Sequence, residues 1–383
     1  MKINAHSLRD AKRLFSRLKH LRCTLPVLNH FLLTAGKDGV QLAATDLNHW
    51  LETRLTDQPS APNCFLIPPS AMEAACRADK GTDVTIALEE NANRRALLLT
   101  LQTGGIISTS RHPTLDPAEM PQRPNCKGTN TDLPTATLQG LADIAGCAST
   151  DPTRFILNGV YFTPEEGGRL VATDGRRLAC APATVPSQAF ILPSSACHIL
   201  AHADFLKSPS RLTWIPDKDP EKCRVALQCG NHLLISQLIA GHYPNYQQVI
   251  PRQADRRIVI PPTHLTGVIR WLRALGKTQC SVRLHADADT LCLLHQEAGG
   301  ETTSLEVPAE IEGTPPLIAF KPRFLADALE LGNTLCLSEE MNPGLFRHPT
   351  GRFSVLMPMR VTTPAGTNEE TKRSPRHHIQ AAA

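Results

Sequence analysis

LNGVYFTPEEGGRLVATDGRRL, residues Leu157 to Leu178, reads as strands joined by tight turns. Leu157, Val160 and Phe162 are apolar, and Gly167-Gly168 separates them from Leu170, Val171 and Ala172. Asp174-Gly175 then makes a second turn, of the kind that wants positive φ at its central residues. Many β-rich chains contain strand–Asp-Gly–strand. This one carries weight because an earlier stretch repeats it.

Thr24 to Asp46 reads TLPVLNHFLLTAGKDGVQLAATD, and Thr153 to Asp174 reads TRFILNGVYFTPEEGGRLVATD. Leu28-Asn29 aligns with Leu157-Asn158 and Thr34 with Thr163, both at an offset of 129; Ala44-Thr45-Asp46 aligns with Ala172-Thr173-Asp174 at 128. FLIPPSA from Phe65 is matched by FILPSSA from Phe190, 125 residues on. An internal repeat of this kind takes precedence over any other fold assignment.

Helix starts extend the repeat. Six are expected, near Ser7, Pro69, Thr135, Ser194, Pro262 and Pro322, and alternate starts lie 128, 125, 127 and 128 residues apart. The first, Ser7 to Leu21, is marked by a Ser7–Asp10 capping box and by Leu8, Ala11, Phe15 and Leu18 at helical spacing. The second runs from Pro69 to about Lys80. The fifth has Leu265, Val268, Ile269, Leu272 and Leu275 on one face and Gly276 as its stop. The sixth has Phe324, Leu325, Ala328 and Leu329, with Gly332 ending it. Strands are expected at Val27–Leu33, Val40–Ala44, Val282–Leu284 and Leu291–Leu294, and Arg111–Pro134 is an extended connection holding a domain boundary. The result is an α+β chain of three repeated domains, each with two helices packed on antiparallel sheets. The expected limits are 1–127, 128–251 and 252–361; 362–383 lacks apolar periodicity and is expected to be a disordered tail.

Composition narrows the function. The chain has 383 residues, 41% apolar and 20% charged, which suits two or three soluble domains. Aromatic residues make up only 4%, which argues against base stacking as the main mode of nucleic-acid binding. A net charge of +4 is mildly basic and implies no partner by itself. The 12 cysteines contain no C-x-x-C pair and read as reduced thiols. No run reaches membrane-spanning length and the N-terminus lacks a signal-peptide core, so a cytoplasmic location without membrane association is expected.

Catalytic motifs are missing: there is no Walker A, nucleophile elbow, H-E-x-x-H or zinc-deaminase signature. Asp174 with Arg176 and Arg177 is the one arrangement an enzyme of nucleotides would use, but Asp46-Leu47 keeps the Asp while losing the Gly, which points to a turn. Glu165-Glu166 and Glu339-Glu340 read as solvated turn acids, and His377-His378 in the tail as no metal site. No cofactor, metal or catalytic residue is expected. The first helix does have a lopsided face, where Arg9, Lys12, Arg13, Arg17, Lys19 and Arg22 stand against Asp10 alone. Such a face suits phosphates.

A threefold repeat carrying L-N-G and A-T-D-G-x-R-L in its second copy resembles the bacterial DNA sliding clamp, the beta subunit of DNA polymerase III. LIAGHYPNYQQVIP (Leu238–Pro251), FSVLMPMR (Phe353–Arg360) and Arg22 followed by Thr24-Leu25-Pro26 fit the same resemblance, which covers about residues 1–361. It implies a non-catalytic subunit of a DNA-directed DNA polymerase complex, a homodimer closed head to tail around duplex DNA without reading bases. Arg270, Arg273 and Lys277 would then join the first helix on the DNA-facing surface, with Arg77, Lys80, Lys207 and Arg323 as lesser members.

The resemblance also implies a pocket between the second and third domains for short apolar peptides of the polymerase and clamp loader. Carried across, it comprises Leu157, Thr173, Gly175, Arg176, Arg177, Leu178, Pro244, Gln248, Val249, Val355, Met357, Pro358, Met359 and Arg360, with Phe324 beside them. Some positions depart from the family. Arg176 stands where His is frequent and Gln248 where a second Arg is common. Asp151, Phe155 and Ile156 replace a Gln and a Tyr pair of some members, and Arg273-Ala274 replaces an apolar pair at the expected dimer edge. Two alternatives follow: a divergent clamp paralogue that binds partners without encircling DNA, and a nucleotide-processing enzyme built on Asp174 and Arg177.

Overall fold

Asn4, not Ser7, caps the first helix. Its side-chain oxygen accepts from the His6 amide at 2.9 Å, and the helix runs Ala5–Phe15. The expected Ser7–Asp10 box does not form. Asn4 ends a short strand, so the cap falls where the chain leaves that strand, and Asp10 lies within the helix, 2.8 Å from His6 and 3.6 Å from Arg13. In the computed structural model, which describes residues 1–18, 25–91, 94–275, 281–296 and 301–360, the other five helices begin at Pro69, Thr135, Ser194, Pro262 and Pro322, as the repeat predicts.

Each helix belongs to one half-domain of the form βαβββ. Domain 1 consists of β1 (Lys2–Asn4), α1 (Ala5–Phe15), β2 (Phe31–Gly36), β3 (Gly39–Thr45) and β4 (His49–Thr56), then β5 (Asn63–Ile67), α2 (Pro69–Ala75), β6 (Asp83–Asn91), β7 (Arg94–Thr103) and β8 (Ile106–Pro113). Domain 2 repeats this with β9 (Thr129–Leu133), α3 (Thr135–Ile144), β10 (Gly159–Thr163), β11 (Arg169–Thr173) and β12 (Arg177–Pro182), then β13 (Phe190–Pro193), α4 (Ser194–Leu200), β14 (Ser210–Ile215), β15 (Arg224–Cys229) and β16 (His232–Gln237). In domain 3 the first half is β17 (Arg256–Val259), α5 (Pro262–Ala274), β18 (Val282–Asp287), β19 (Thr290–Gln296) and β20 (Thr302–Pro308). A short β21 (Glu310–Glu312) precedes the second half, β22 (Ile318–Phe320), α6 (Pro322–Leu331), β23 (Thr334–Leu337), β24 (Gly344–Arg347) and β25 (Phe353–Leu356).

Local chemistry moved several expected boundaries. Pro26 and Pro152 open 3₁₀ turns, Pro26–Asn29 and Pro152–Leu157, so Val27 and Leu157 precede their strands instead of starting them. β8 continues to Pro113, inside the expected connection. The second helix is a single short stretch that stops at Ala75. Gly332 ends α6 with extended backbone, φ −172°, not a left-handed cap; glycine is needed there because a Cβ would lie 2.5 Å from the Arg347 carbonyl oxygen. Gly276 lies outside the described residues, as do Lys19, Arg22, Lys277, His377-His378 and the tail from Val361. No helix among the described residues is long and apolar enough to cross a membrane.

The strands form four antiparallel sheets. One has the order β5-β2-β3-β4-β16-β15-β14-β9, another β13-β10-β11-β12-β25-β24-β23-β17-β21, and β1-β6-β7-β8 and β20-β19-β18-β22 are four-stranded. The two large sheets cross domain seams by one rule: the closing strand of a first half pairs with the closing strand of the next domain's second half. β4 meets β16 with His49 opposite Ser236, and β12 meets β25 with Arg177 opposite Leu356. Four of the six closing strands are used. β8 and β20 are left at the outer edges of the small sheets. One apolar core runs through domains 1 and 2 and a second fills domain 3, where Val268 and Leu272 of α5 and Leu325 and Leu329 of α6 are buried.

The turn at Thr173–Arg177 recurs almost atom for atom at Thr45–His49. Thr45 Oγ1 and Thr173 Oγ1 each donate at 2.7 Å to the carbonyl four residues on. Asp46 Oδ1 accepts from the Asn48 and His49 amides at 3.0 and 2.7 Å, and Asp174 Oδ1 from the Arg176 and Arg177 amides at 2.9 and 3.1 Å. Positive φ occurs at one central position, not two: Gly175 at 83° and Leu47 at 79°. Leucine in this region carries strain that glycine lacks. Leu47→Gly is therefore expected to raise unfolding stability by about 0.5–1 kcal/mol, read as a higher denaturation midpoint.

The equivalence also sets His49 against Arg177. His49 is 3% exposed, with Nδ1 3.1 Å from Ser236 Oγ and Nε2 2.7 Å from Ser195 Oγ across the seam between domains 1 and 2. Burial lowers its pKa, against a weaker opposing pull from Asp46. The unfolded chain therefore takes up the proton more readily. Its contribution is complete above the unfolded value of about 6.5 and is lost as pH falls from there toward the folded value. Thermal melts from pH 7.5 to 5 should show a smaller loss of stability in His49→Asn than in the parent chain.

Candidate functional site

At the seam between domains 2 and 3 the chain's final strand passes from one sheet to another. Met357 donates its amide to the Arg176 carbonyl at 3.0 Å, extending the β12–β25 ladder, and Met359 donates to Ala319 at 2.7 Å beside β22. The other seam has the same pattern, with Gln237 donating to Asn48 at 2.9 Å and Ile239 to Ile191 at 3.0 Å. Leu178 and Val355 are each 2% exposed and pack with Val171, Tyr246 and Leu345 in a small core, where Tyr161 and Tyr243 stack at 4.7 Å. Tyr243 and Tyr246 thereby pin residues 243–250 to this sheet face.

Most of the expected pocket residues lie on three segments around that core. The turn contributes half-buried Thr173 and exposed Gly175 and Arg176; the pinned segment contributes exposed Pro244, Gln248 and Val249; the final strand contributes Met357, Pro358, Met359 and Arg360. Leu157 is half-buried in its 3₁₀ turn. Val249 and Met357 are 46% and 44% exposed, a large apolar exposure for side chains over an aromatic core. Leu178 and Val355 lie beneath this surface. A Cβ on Gly175 would come 2.7 Å from Arg154 Nη1, so glycine there keeps room for Arg154, which donates to the Asp174 carbonyl at 3.1 Å.

Arg177 is the buried charge of the site. Its Nε is 3.1 Å from Asp174 Oδ2, Nη1 pairs with Asp327 Oδ2 of α6, Nη2 donates to the Gly146 carbonyl at 2.6 Å, and the guanidinium lies 4.4 Å from the Phe324 ring centre. Asp327 also receives Arg273 of α5 at 3.1 Å, and Arg273 reaches Glu330 at 2.7 Å. Asp174 and Arg177 thus spend their polar atoms on the turn and on α6. That arrangement locks two domains together and leaves neither group free for nucleotide chemistry. Among the described residues, no group of three His, Cys, Asp or Glu has the spacing to hold a metal.

The basic residues of the first and fifth helices have divided roles. Arg13 and Arg270 are exposed, and Lys12 is half-buried. Arg9 donates Nη1 to the Ala78 carbonyl at 3.0 Å, and Arg17 donates Nη1 to the His198 carbonyl at 2.6 Å, joining α1 to α4. Arg273 is held by α6. Reading the sequence missed Asp327 and the seam role of His49. Asp327 lies 150 residues from Arg177, beyond any local pattern, but His49 was accessible through its alignment with Arg177.

Six βαβββ halves in three domains, joined by shared sheets, define a clamp-type architecture. Residues 3–124 match the family model described as DNA polymerase III beta subunit, N-terminal domain. The chain is similar to the beta sliding clamp of Synechococcus elongatus, at 28% identity over 354 residues covering 88% of this chain and 91% of that one. It is also similar to that of Caulobacter vibrioides, at 28% over 359 residues covering 89% and 94%. Its fold is that of the Pseudomonas aeruginosa sliding clamp solved with griselimycin bound, with a TM-score of 0.81, 23% identity and coverage of 94% and 99%. Along most of its length the chain is thus similar to bacterial beta sliding clamps, and residues 3–124 carry the match to the N-terminal domain model.

Proposed function

We propose that this chain is a processivity clamp: two copies close head to tail around duplex DNA, and the surface between domains 2 and 3 holds short apolar peptides of the polymerase and the clamp loader. The observation that carries the ring is the strand left over in each end domain. β4 joins β16 and β12 joins β25, and the same rule applied once more joins β20 to β8 of a second copy. An unpaired edge is a template for another strand, and β8 presents Ile106 and Ile107, each 72% exposed. A heterologous contact of this kind forms a ring when its rotation closes. We place the domain limits near 127 and 251, a reading supported by the connections between β8 and β9 and between β16 and β17.

Arg13 and Arg270, with Lys12, Arg9 and Arg17 behind them and with Lys19, Arg22 and Lys277 nearby in sequence, would supply loose phosphate contacts that let the ring slide. The test is retention on nicked circular DNA in high salt with rapid loss once the circle is cut. Loss with salt on both forms would mean phosphate binding without encirclement. A monomer in solution that still binds peptide would favour the paralogue that does not encircle DNA. For the pocket, Met357→Glu is expected to weaken binding of an apolar partner peptide at least about tenfold with an unchanged melting midpoint, measured by fluorescence anisotropy.

A further inference from the structure

Between the Asp174–Arg177 turn and the start of α6 lies a cleft of about 390 Å³ lined by Arg154, Arg176, Arg177, Lys321, Arg323 and Phe324. Two acids share its wall, Asp151 and Asp174, and both are engaged. Asp151 accepts from the Thr153 amide and hydroxyl at 3.0 and 2.7 Å, and Asp174 is held by Arg177 and its own turn. Arg177 is saturated by Asp174, Asp327 and Gly146. The side chains of Arg176 and Arg323 meet no carboxylate among the described residues. Helix α6 starts here with no side chain capping it, so its first amides add to the positive field.

A cleft with this surplus of positive charge, sharing Arg176, Arg177 and Phe324 with the surface for apolar peptides, is matched by negative groups on the peptide itself. A nucleobase fits less well. The Phe324 ring already carries the Arg177 guanidinium at 4.4 Å and the Lys321 ammonium at 5.0 Å, so stacking would have to displace a cation. We propose that the cleft selects, among apolar peptides entering the pocket it overlaps, those with aspartate or glutamate beside their apolar core; this rests on the pocket reading given above. The carboxylates would meet Arg176, Arg323 and Lys321.

The experiment uses the full chain and two labelled peptides with one Leu-Phe-Leu core, flanked on both sides by Asp in one and by Asn in the other. The Asp peptide is expected to bind about tenfold tighter at low salt. That advantage should shrink to less than about threefold in the Lys321→Gln/Arg323→Gln variant, with the Asn peptide binding as before. Arg323→Gln alone, at an exposed position, gives a partial loss and serves if the double variant melts early. Equal affinity for both peptides overturns the proposal while leaving the pocket reading intact. No binding of either peptide overturns both. An oligothymidylate that displaces the Asp peptide, binds more tightly than it and loses affinity in the same variant assigns the cleft to single-stranded nucleic acid and also overturns the proposal.

Discussion

A chain carrying Ile106→Lys and Ile107→Lys is expected to sediment as a single copy at concentrations where the parent chain is a dimer, and to lose retention on nicked circular DNA in high salt. Both side chains are 72% exposed on the free edge of β8, so the substitutions leave the folded chain intact and its melting midpoint close to the parent's. Neighbours on a strand point to opposite faces, and changing both removes whichever isoleucine the second copy covers. Burying one isoleucine is worth about 1.5–3 kcal/mol, and a lysine there resists desolvation as well as removing that gain. The dissociation constant should rise by at least about 100-fold, roughly 2.7 kcal/mol, as measured by analytical ultracentrifugation. A variant that stays dimeric would remove β8 from the contact.

The second large effect is expected from Arg177→Met. Arg177 is 9% exposed and compensates Asp174 and Asp327 at once. Removing one partner of a fully buried ionic group costs about 3–5 kcal/mol. Less than that is expected here, because the Asp174 and Asp327 side chains are 18% and 23% exposed and water screens part of their charge. The variant should show early loss of the contact between domains 2 and 3, with peptide binding lost alongside. Arg177→Met combined with Asp327→Leu should recover most of the stability, since replacing both members with apolar groups leaves one fewer charge to desolvate. Calorimetry on the single and double variants checks this. Similar stability in the single variant and the parent would show that Arg177 does not hold the seam.

The sequence carried the repeat, and the repeat carried the fold, because each βαβββ half has its own helix start at a regular spacing and the first halves of domains 1 and 2 share a threonine-aspartate turn. Five of the six helix starts fall where the spacing places them, and the sixth differs because Asn4 at the end of β1 caps before Ser7. Contacts across the seams were not legible. Arg17 reads as part of a basic stripe, yet it donates to a carbonyl of α4; Arg273 reads the same way, yet it pairs with α6. Periodicity shows which face of a helix is polar, and says nothing of whether that face meets water or another helix. The turn at Asp174 was legible in outline, but its single left-handed position became clear only from the backbone, where Leu47 adopts the geometry that Gly175 holds without strain.

The leftover strands have one more implication. In the proposed ring each chain offers the edge of β20 to the edge of β8 on the next, and nothing in that complementarity limits the count to two. What halts growth is the angle each seam imposes between neighbouring domains, and the contacts fixing that angle are side chains such as His49 with Ser195, and Arg177 with Asp327. A substitution that altered the angle without weakening either edge would yield helical fibres instead of dimers. In this sense stoichiometry is written in the interior of the chain and not at its ends.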